Sequence, residues 1–210
     1  MTPRGDIPSP TLERLAEYLR CLTETDVDVE EFISSDQLGK RTRWPAELVR
    51  RDLSYFGEFG RRGVGYNVTL LRHALARILE LNRPQPVVLV GLGNLGRALL
   101  TYPGWDRFNL FIAAVFDTDP RLVGKRVLGH DVLNADAIPE VVPTTKARMA
   151  MLSVPGSAAQ EVADQLVACG IRGLLNFAPL ALEVPKTVLV RNVSFITELA
   201  VLSHYTAQEQ

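Results

Sequence analysis

Residues 87–96 read VVLVGLGNLG, and no other stretch of the chain constrains its fold so tightly. Four apolar, mostly β-branched residues, Val87 to Val90, run directly into Gly91-Leu92-Gly93-Asn94-Leu95-Gly96. A buried strand turning sharply into a helix through this spacing is the dinucleotide-binding pattern of a doubly wound parallel sheet. Each glycine has its own task. Gly91 permits the tight turn, Gly93 leaves the approach of a pyrophosphate unobstructed, and Gly96 lets the helix pack close to the strand. The pyrophosphate then meets free backbone N–H groups at the positive end of the helix dipole. A hydride-transfer enzyme and a sensor of redox state would both use such a site, and the residues before it decide between them.

With 210 residues the chain has room for one large domain or two small ones. An apolar content of 47% and a charged content of 22% describe an ordinary globular protein. No apolar run approaches the ~18 residues of a transmembrane helix, so no membrane is expected as a partner. The opening MTPRGDIPSP lacks the apolar core of a signal peptide. Cys21 and Cys169 are too few for a disulfide framework and lack metal-ligand spacing. No metal is therefore expected, and a reducing cytoplasm fits.

The net charge is −1, but the first third is strongly segregated. Residues 24–36 carry six acids and no base, whereas residues 40–77 carry nine bases against three acids, a net +6. A basic stretch of this kind is the electrostatic footprint of a DNA binder, although charge runs are more often merely solvated faces. Leu12, Leu15, Leu19 and Leu22 recur at helical spacing over residues 10–23. Ser34 with Gln37 forms a capping box for a short second helix that Gly39 is expected to end or bend. Pro45, suited to the first helical position, opens PAELVRRDLSYF. In this third helix Val49, Leu53 and Phe56 share one side, and Glu47, Arg50, Arg51 and Ser54 share the other. An apolar back and an Arg/Arg/Ser/Glu front are what a recognition helix needs, because arginine reaches guanine edges or phosphates. The plainer alternative is a three-helix bundle with a solvated face.

GEFGRRGVGYNV follows, with Gly57, Gly60, Gly63 and Gly65 punctuating a basic, aromatic-flanked segment. The spacing suits a short β-hairpin with Arg61 and Arg62 at its tip, a wing able to enter a minor groove. Residues 69–81 form a fourth amphipathic helix, and Asn82-Arg83-Pro84-Gln85-Pro86 reads as a linker.

Beyond the glycine motif, Phe111 to Phe116 reads as a second buried strand ending at Asp117, 26 residues after Gly91. An acid there hydrogen-bonds the adenosine ribose and repels the extra phosphate of NADP, so NAD(H) is expected; Asp119 is the fallback. Ala150 to Val154 reads as a further strand, putting Val154 and Pro155 at the nicotinamide side. After the helix SAAQEVADQLVACG, the next strand ends in Asn176-Phe177-Ala178-Pro179, cofactor-facing by the same logic, and Cys169 packs as a small hydrophobe. LGHDVLNADAIPE, containing His130, reads as a connecting loop. None of His73, His130 and His204 has a carboxylate at suggestive spacing, and too little chain follows the nucleotide unit to form a substrate domain. No catalytic residue is assigned, and an NAD-dependent oxidoreductase is the alternative reading. A third is an NAD-binding protein whose basic face docks another protein.

VRRDLSYFGEFGRRGVGYNV followed by VGLGNLGRALL closely resembles the redox-sensing transcriptional repressor family Rex. The likeness continues through SVPGSAAQEVADQLVACGIRGLLNFAPLALEVP and RNVSF and spans roughly residues 7–205. It implies a cytoplasmic homodimer that joins a winged helix to a Rossmann domain in an α/β chain and exchanges a C-terminal helix between subunits. It implies binding to inverted-repeat double-stranded operators of fermentation and respiration genes, and release when NADH rises relative to NAD⁺. The expected domains are residues 1–82 (DNA-binding), 83–192 (NAD(H)-binding) and 193–210 (exchange helix). The residues expected at DNA are Ser35, Glu47, Arg50, Arg51, Ser54, Tyr55, Arg61, Arg62, Gly63, Gly65 and Tyr66. The apolar stripe Phe195, Ile196, Leu199 and Leu202 is expected to pack on the partner, with Phe195 covering the opposite nicotinamide. Where many members of the family carry Asp, this chain has Ser194. In those members the Asp joins a switch with an Arg and a Tyr that match Arg20 and Tyr102 here. Serine cannot supply the charge that holds an arginine, so a weaker response to NADH is expected.

Overall fold

The computed structural model describes residues 7–24, 31–56, 60–61 and 63–207. The chain divides into two compact units: Met1–Pro84 with Arg107–Asn109, and Gln85–Asp106 with Leu110–Gln210.

The first unit begins with α1 (Ser9–Glu24), whose buried stripe is Leu15, Tyr18, Leu19 and Leu22. Leu12 stays half-buried, and Tyr18 takes a core position instead. A two-residue strand, β1 (Phe32–Ile33), precedes α2 (Ser35–Thr42). The Ser34 capping box is present: the Gln37 N–H donates to Ser34 Oγ at 3.1 Å and the Ser34 N–H donates to Gln37 Oε1 at 2.8 Å.

Gly39 does not end this helix. It lies inside α2, which runs on to Thr42 and stops at Arg43 in the left-handed region (φ 61). A Cβ at Gly39 would collide with the Trp44 carbonyl, so the glycine is there to let the turn into α3 (Ala46–Ser54) fold back across α2. Pro45 is the N-cap of α3 rather than its first helical residue. The hairpin β2 (Gly60–Arg61) and β3 (Gly65–Asn67) follows, antiparallel. β1 pairs with the other edge of β3, giving a three-stranded sheet ordered β1-β3-β2. Asn67 then caps α4 (Val68–Ile78), its side chain accepting the Leu70 N–H at 3.0 Å. Leu38, Val49, Leu53, Leu71 and Leu75 close this core around Tyr18.

The second unit is built on seven strands: β4 (Gln85–Val90), β5 (Leu110–Asp117), β6 (Arg126–Val127), β7 (His130–Asn134), β8 (Met149–Leu152), β9 (Gly173–Asn176) and β10 (Leu189–Asn192). Their order is β10-β9-β8-β4-β5-β7-β6, with all neighbours parallel except the edge hairpin β6–β7. This is the doubly wound arrangement, with chain direction across the sheet reversing at β4. Val88 and Val90 are buried on one face of β4, and Val87 and Leu89 on the other. A central parallel strand buried on both faces reads as a continuous apolar run for this reason. Helices α5 (Asn94–Leu100), α6 (Ile138–Thr145) and α7 (Gly156–Ala168) connect the strands.

Three expectations change here. The segment LGHDVLNADAIPE is not a connecting loop, because it supplies β7, a 3₁₀ turn and the start of α6. Val132 and Leu133 pair with Val115 and Phe116, a long-range pairing that the flanking Asp131 and Asn134 hide. β4 starts at Gln85, so Pro86 belongs to the strand rather than to a linker. β8 ends at Leu152, which leaves Val154 beyond the strand. The last helix, α8 (Phe195–Thr206), has every residue exposed, with Phe195 at 62% and Ile196 at 76%. No described helix is long and apolar enough to cross a membrane.

Candidate functional site

A cleft of about 660 Å³ opens at the carboxyl ends of β4, β5 and β8, within the ~300–1,000 Å³ range of ligand sites. Gly91, Leu92, Gly93, Asn94 and Leu95 form one wall, Asp117 and Asp119 another, and Val154 and Pro155 a third. The three motif glycines differ in what the protein itself requires of them. Gly91 has φ +93, and a Cβ there would lie 2.5 Å from the Ser153 carbonyl. Gly96 is buried, and a Cβ on it would collide with the Gly91 carbonyl. A Cβ on Gly93 would meet nothing. The space over Gly93 is therefore not needed by the fold and is open to a ligand.

Asp117 stands at the end of β5. One of its carboxylate oxygens accepts the Leu92 N–H at 2.5 Å and the other the Asp119 N–H at 2.7 Å. Asp119 is gripped instead by the Arg121 guanidinium, whose hydrogen bonds hold the Asp119 carboxyl below the usual carboxylate range. Sequence reasoning missed Arg97 and Ser153, which also line the cleft. Ser153 Oγ donates to the Gly91 carbonyl at 2.8 Å and so braces the glycine turn. Their only sequence signal is adjacency, Arg97 directly following Gly96 and Ser153 directly preceding Val154.

The remaining expected cofactor residues do not line this cleft. Asn176 is 1% exposed and fully engaged. Its Nδ2 donates to the Leu180 carbonyl and to Asn192 Oδ1, each at 2.9 Å, and its Oδ1 accepts the Ala178 N–H at 3.0 Å. These bonds shape the turn after β9. Ala178 is buried, and Phe177 packs against the Leu89 and Met151 side of the core. Tyr102 is half-exposed and meets Trp105 edge-on at 5.1 Å. Phe195 stands on the exposed α8. Cys169 packs against the Ile138 core, and burial pushes its thiol pKa up. Ser194 is the N-cap of α8, its hydroxyl accepting the Thr197 N–H at 3.2 Å. Arg20, on α1 of the first unit, bonds Glu24 at 3.0 Å.

In the first unit Val49 and Leu53 are buried, while Glu47, Arg50, Arg51 and Ser54 face outward with Tyr55. Arg50 donates to Ser35 Oγ at 2.9 Å, bracing the α3 front against the start of α2. Ser54 donates back to the Arg51 carbonyl at 2.9 Å. Gly63 (φ +82) and Gly65 (φ +104) turn the hairpin, Arg61 stands on it exposed, and Tyr66 is half-buried with its pKa raised by burial. Arg62 lies outside the described residues.

What holds α3 in place was not legible in the sequence. Asp52, on the buried side of α3, is 4% exposed and takes a two-pronged contact from Arg14, Nε at 2.6 Å and Nη2 at 2.7 Å. The Tyr18 hydroxyl donates to the same carboxylate at 3.1 Å. Arg14 also lies over the Trp44 ring at 5.6 Å, so α1, α3 and the turn before α3 meet at one polar cluster. His73 stands on α4, His130 opens β7 and His204 lies on α8. Among the described residues no group of three His, Cys, Asp or Glu side chains is placed to hold a metal.

Residues 82–180 match the family model described as "CoA binding domain", and residues 6–54 the one described as "Putative DNA-binding protein N-terminus". The redox-sensing transcriptional repressor Rex of Pelotomaculum thermopropionicum is 44% identical over 204 residues, which are 97% of this chain and 96% of the relative. That of Thermus thermophilus is 46% identical over 197 residues, 94% and 92% of the two chains. Among solved structures, RSP in complex with β-NAD⁺ and operator DNA has a TM-score of 0.88 at 32% identity, covering 98% of this chain and 95% of that one. RSP in complex with β-NADH has a TM-score of 0.85 at 30% identity, covering 98% and 97%. A winged helix followed by a Rossmann unit with an open glycine-loop cleft defines a class, the nucleotide-responsive transcriptional regulators. Within that class the chain belongs to the Rex family of redox-sensing transcriptional repressors. Its relatives are repressors rather than enzymes, and so is this chain.

Proposed function

We propose that this chain is an NADH-responsive, DNA-binding repressor that reads the NADH/NAD⁺ ratio and leaves its inverted-repeat operators when NADH binds. The observation that carries the reading is the presence, on one chain, of an exposed Glu47/Arg50/Arg51/Ser54 helix front and a cleft whose central glycine, Gly93, is left open. Residues 1–82 bind double-stranded DNA and residues 83–192 bind NADH or NAD⁺. Residues 193–210 exchange with a second copy, because α8 exposes Phe195, Ile196, Leu199 and Leu202 together. A monomer rarely leaves such a stripe uncovered. Phe195 then covers the nicotinamide of the opposite subunit. The protein works as a cytoplasmic homodimer on fermentation and respiration genes.

In this reading α3 enters the major groove with Arg50 and Arg51 at base edges or phosphates, and the hairpin with Arg61 and Arg62 follows the minor groove. NADH favours a closed dimer whose two α3 helices no longer match the half-site spacing. DNA favours the open form, and the coupling is reciprocal. Asp117 excludes NADP(H). Ser194, which caps a helix instead of holding Arg20 by charge, makes the response shallower. The test is the double variant Arg50→Ala/Arg51→Ala. Operator affinity collapses while NADH affinity stays as in the parent; unchanged operator binding contradicts the reading.

A further inference from the structure

Arg97 is the one cation among the described residues that line the nucleotide cleft. Among those residues no ion pair or side-chain hydrogen bond involves its guanidinium, although it is half-buried. The two acids across the cleft do not answer it. Asp117 is held by the Leu92 and Asp119 backbone N–H groups, and Asp119 is held by Arg121. The position of Arg97 does explain it. The Arg97 N–H donates to the Gly93 carbonyl at 3.0 Å, which puts Arg97 one turn above the glycine whose face is open. Helical side chains lean toward the helix N-terminus, the direction of that open face, and Arg97 and Gly93 line the same cleft.

We propose that Arg97 is the side-chain counter-ion of the dinucleotide pyrophosphate. It sets the NADH concentration at which the repressor responds, and it does not set the preference between NADH and NAD⁺. The proposal rests on the nucleotide reading above. The pyrophosphate is identical in the two redox forms, so a residue that touches only this group changes both affinities by one factor. Arginine suits the task because its planar fork matches phosphate oxygens and keeps its charge.

The experiment is calorimetric titration of the full chain, and of Arg97→Gln and Arg97→Lys, with NADH, NAD⁺ and ADP-ribose at low and high salt. Arg97→Gln weakens all three ligands by the same factor, on the order of tenfold, and flattens the salt dependence. Arg97→Lys, which keeps the charge and loses the fork, recovers part of the loss. Equal affinities in parent and Gln variant, or a loss confined to one redox form, overturn the assignment of Arg97 and leave the nucleotide reading intact. A parent chain that binds none of the three ligands overturns the nucleotide reading and the assignment with it.

Discussion

The Asp117 carboxylate accepts the Leu92 backbone N–H at 2.5 Å, tying the carboxyl end of β5 to the glycine turn that ends β4. Its second oxygen takes the Asp119 N–H at 2.7 Å, so the carboxylate is fixed at the rim of the cleft before any ligand arrives. Asp117→Ala removes both the brace and the charge that would repel a 2′-phosphate. Expected are a loss of NADH affinity on the order of tenfold and a narrowed preference for NADH over NADPH, read by fluorescence titration. An unchanged preference would show that Asp117 does not touch the ribose.

Asp52 carries the second prediction. Removing one member of a buried, hydrogen-bonded ion pair leaves the other charge unanswered, at about 3–5 kcal/mol. Asp52→Ala strands Arg14, which is itself mostly buried, and removes the acceptor of the Tyr18 hydroxyl. Urea unfolding of the variant is expected to show the transition of the first unit moved to lower denaturant, with operator affinity reduced because α3 loses its tie to α1. A midpoint equal to that of the parent would mean the cluster contributes nothing to the placement of α3.

Tyr18 gives the pH dependence. Burial of its ring, and next the neighbouring Asp52 charge, raise the phenol pKa far above its usual value of about 10. The folded chain therefore holds this proton more tightly than the unfolded chain. The contribution to stability is fully present below about pH 10. It declines as the pH rises above that value and the unfolded state ionises, and it is lost as the pH passes through the folded-state pKa. Tyr18→Phe is expected to flatten this alkaline decline when urea midpoints are followed across the alkaline range. An identical pH slope in parent and variant would contradict the assignment.

The features readable from the sequence were those encoded locally. The glycine turn at Gly91–Gly96, the Ser34–Gln37 box, the two faces of α3 and the Gly63/Gly65 hairpin each follow from neighbours within one or two turns of chain. Features that depend on how the chain folds back on itself were missed or misread. β1 has two residues, too few for any periodicity, and exists because β3 offers Tyr66 and Asn67 as partners. Gly39 resembles a helix terminator in sequence, yet its role is decided by Trp44 crossing over it. Asp52 reads as an ordinary acid until Arg14, 38 positions earlier, is brought to it. Asn176 stands where a ligand-facing residue would stand, but its amide is consumed by the turn and by Asn192 on the next strand.

The central claim is that nucleotide state controls DNA binding, and a fluorescence-anisotropy titration tests it most directly. The full chain is bound to an inverted-repeat operator at fixed salt, and NADH or NAD⁺ is then added. NADH is expected to release the DNA at concentrations where NAD⁺ does not, with a midpoint displaced to higher NADH in Arg97→Gln. DNA binding that is tight and indifferent to NADH would contradict the account and leave a repressor without a sensor.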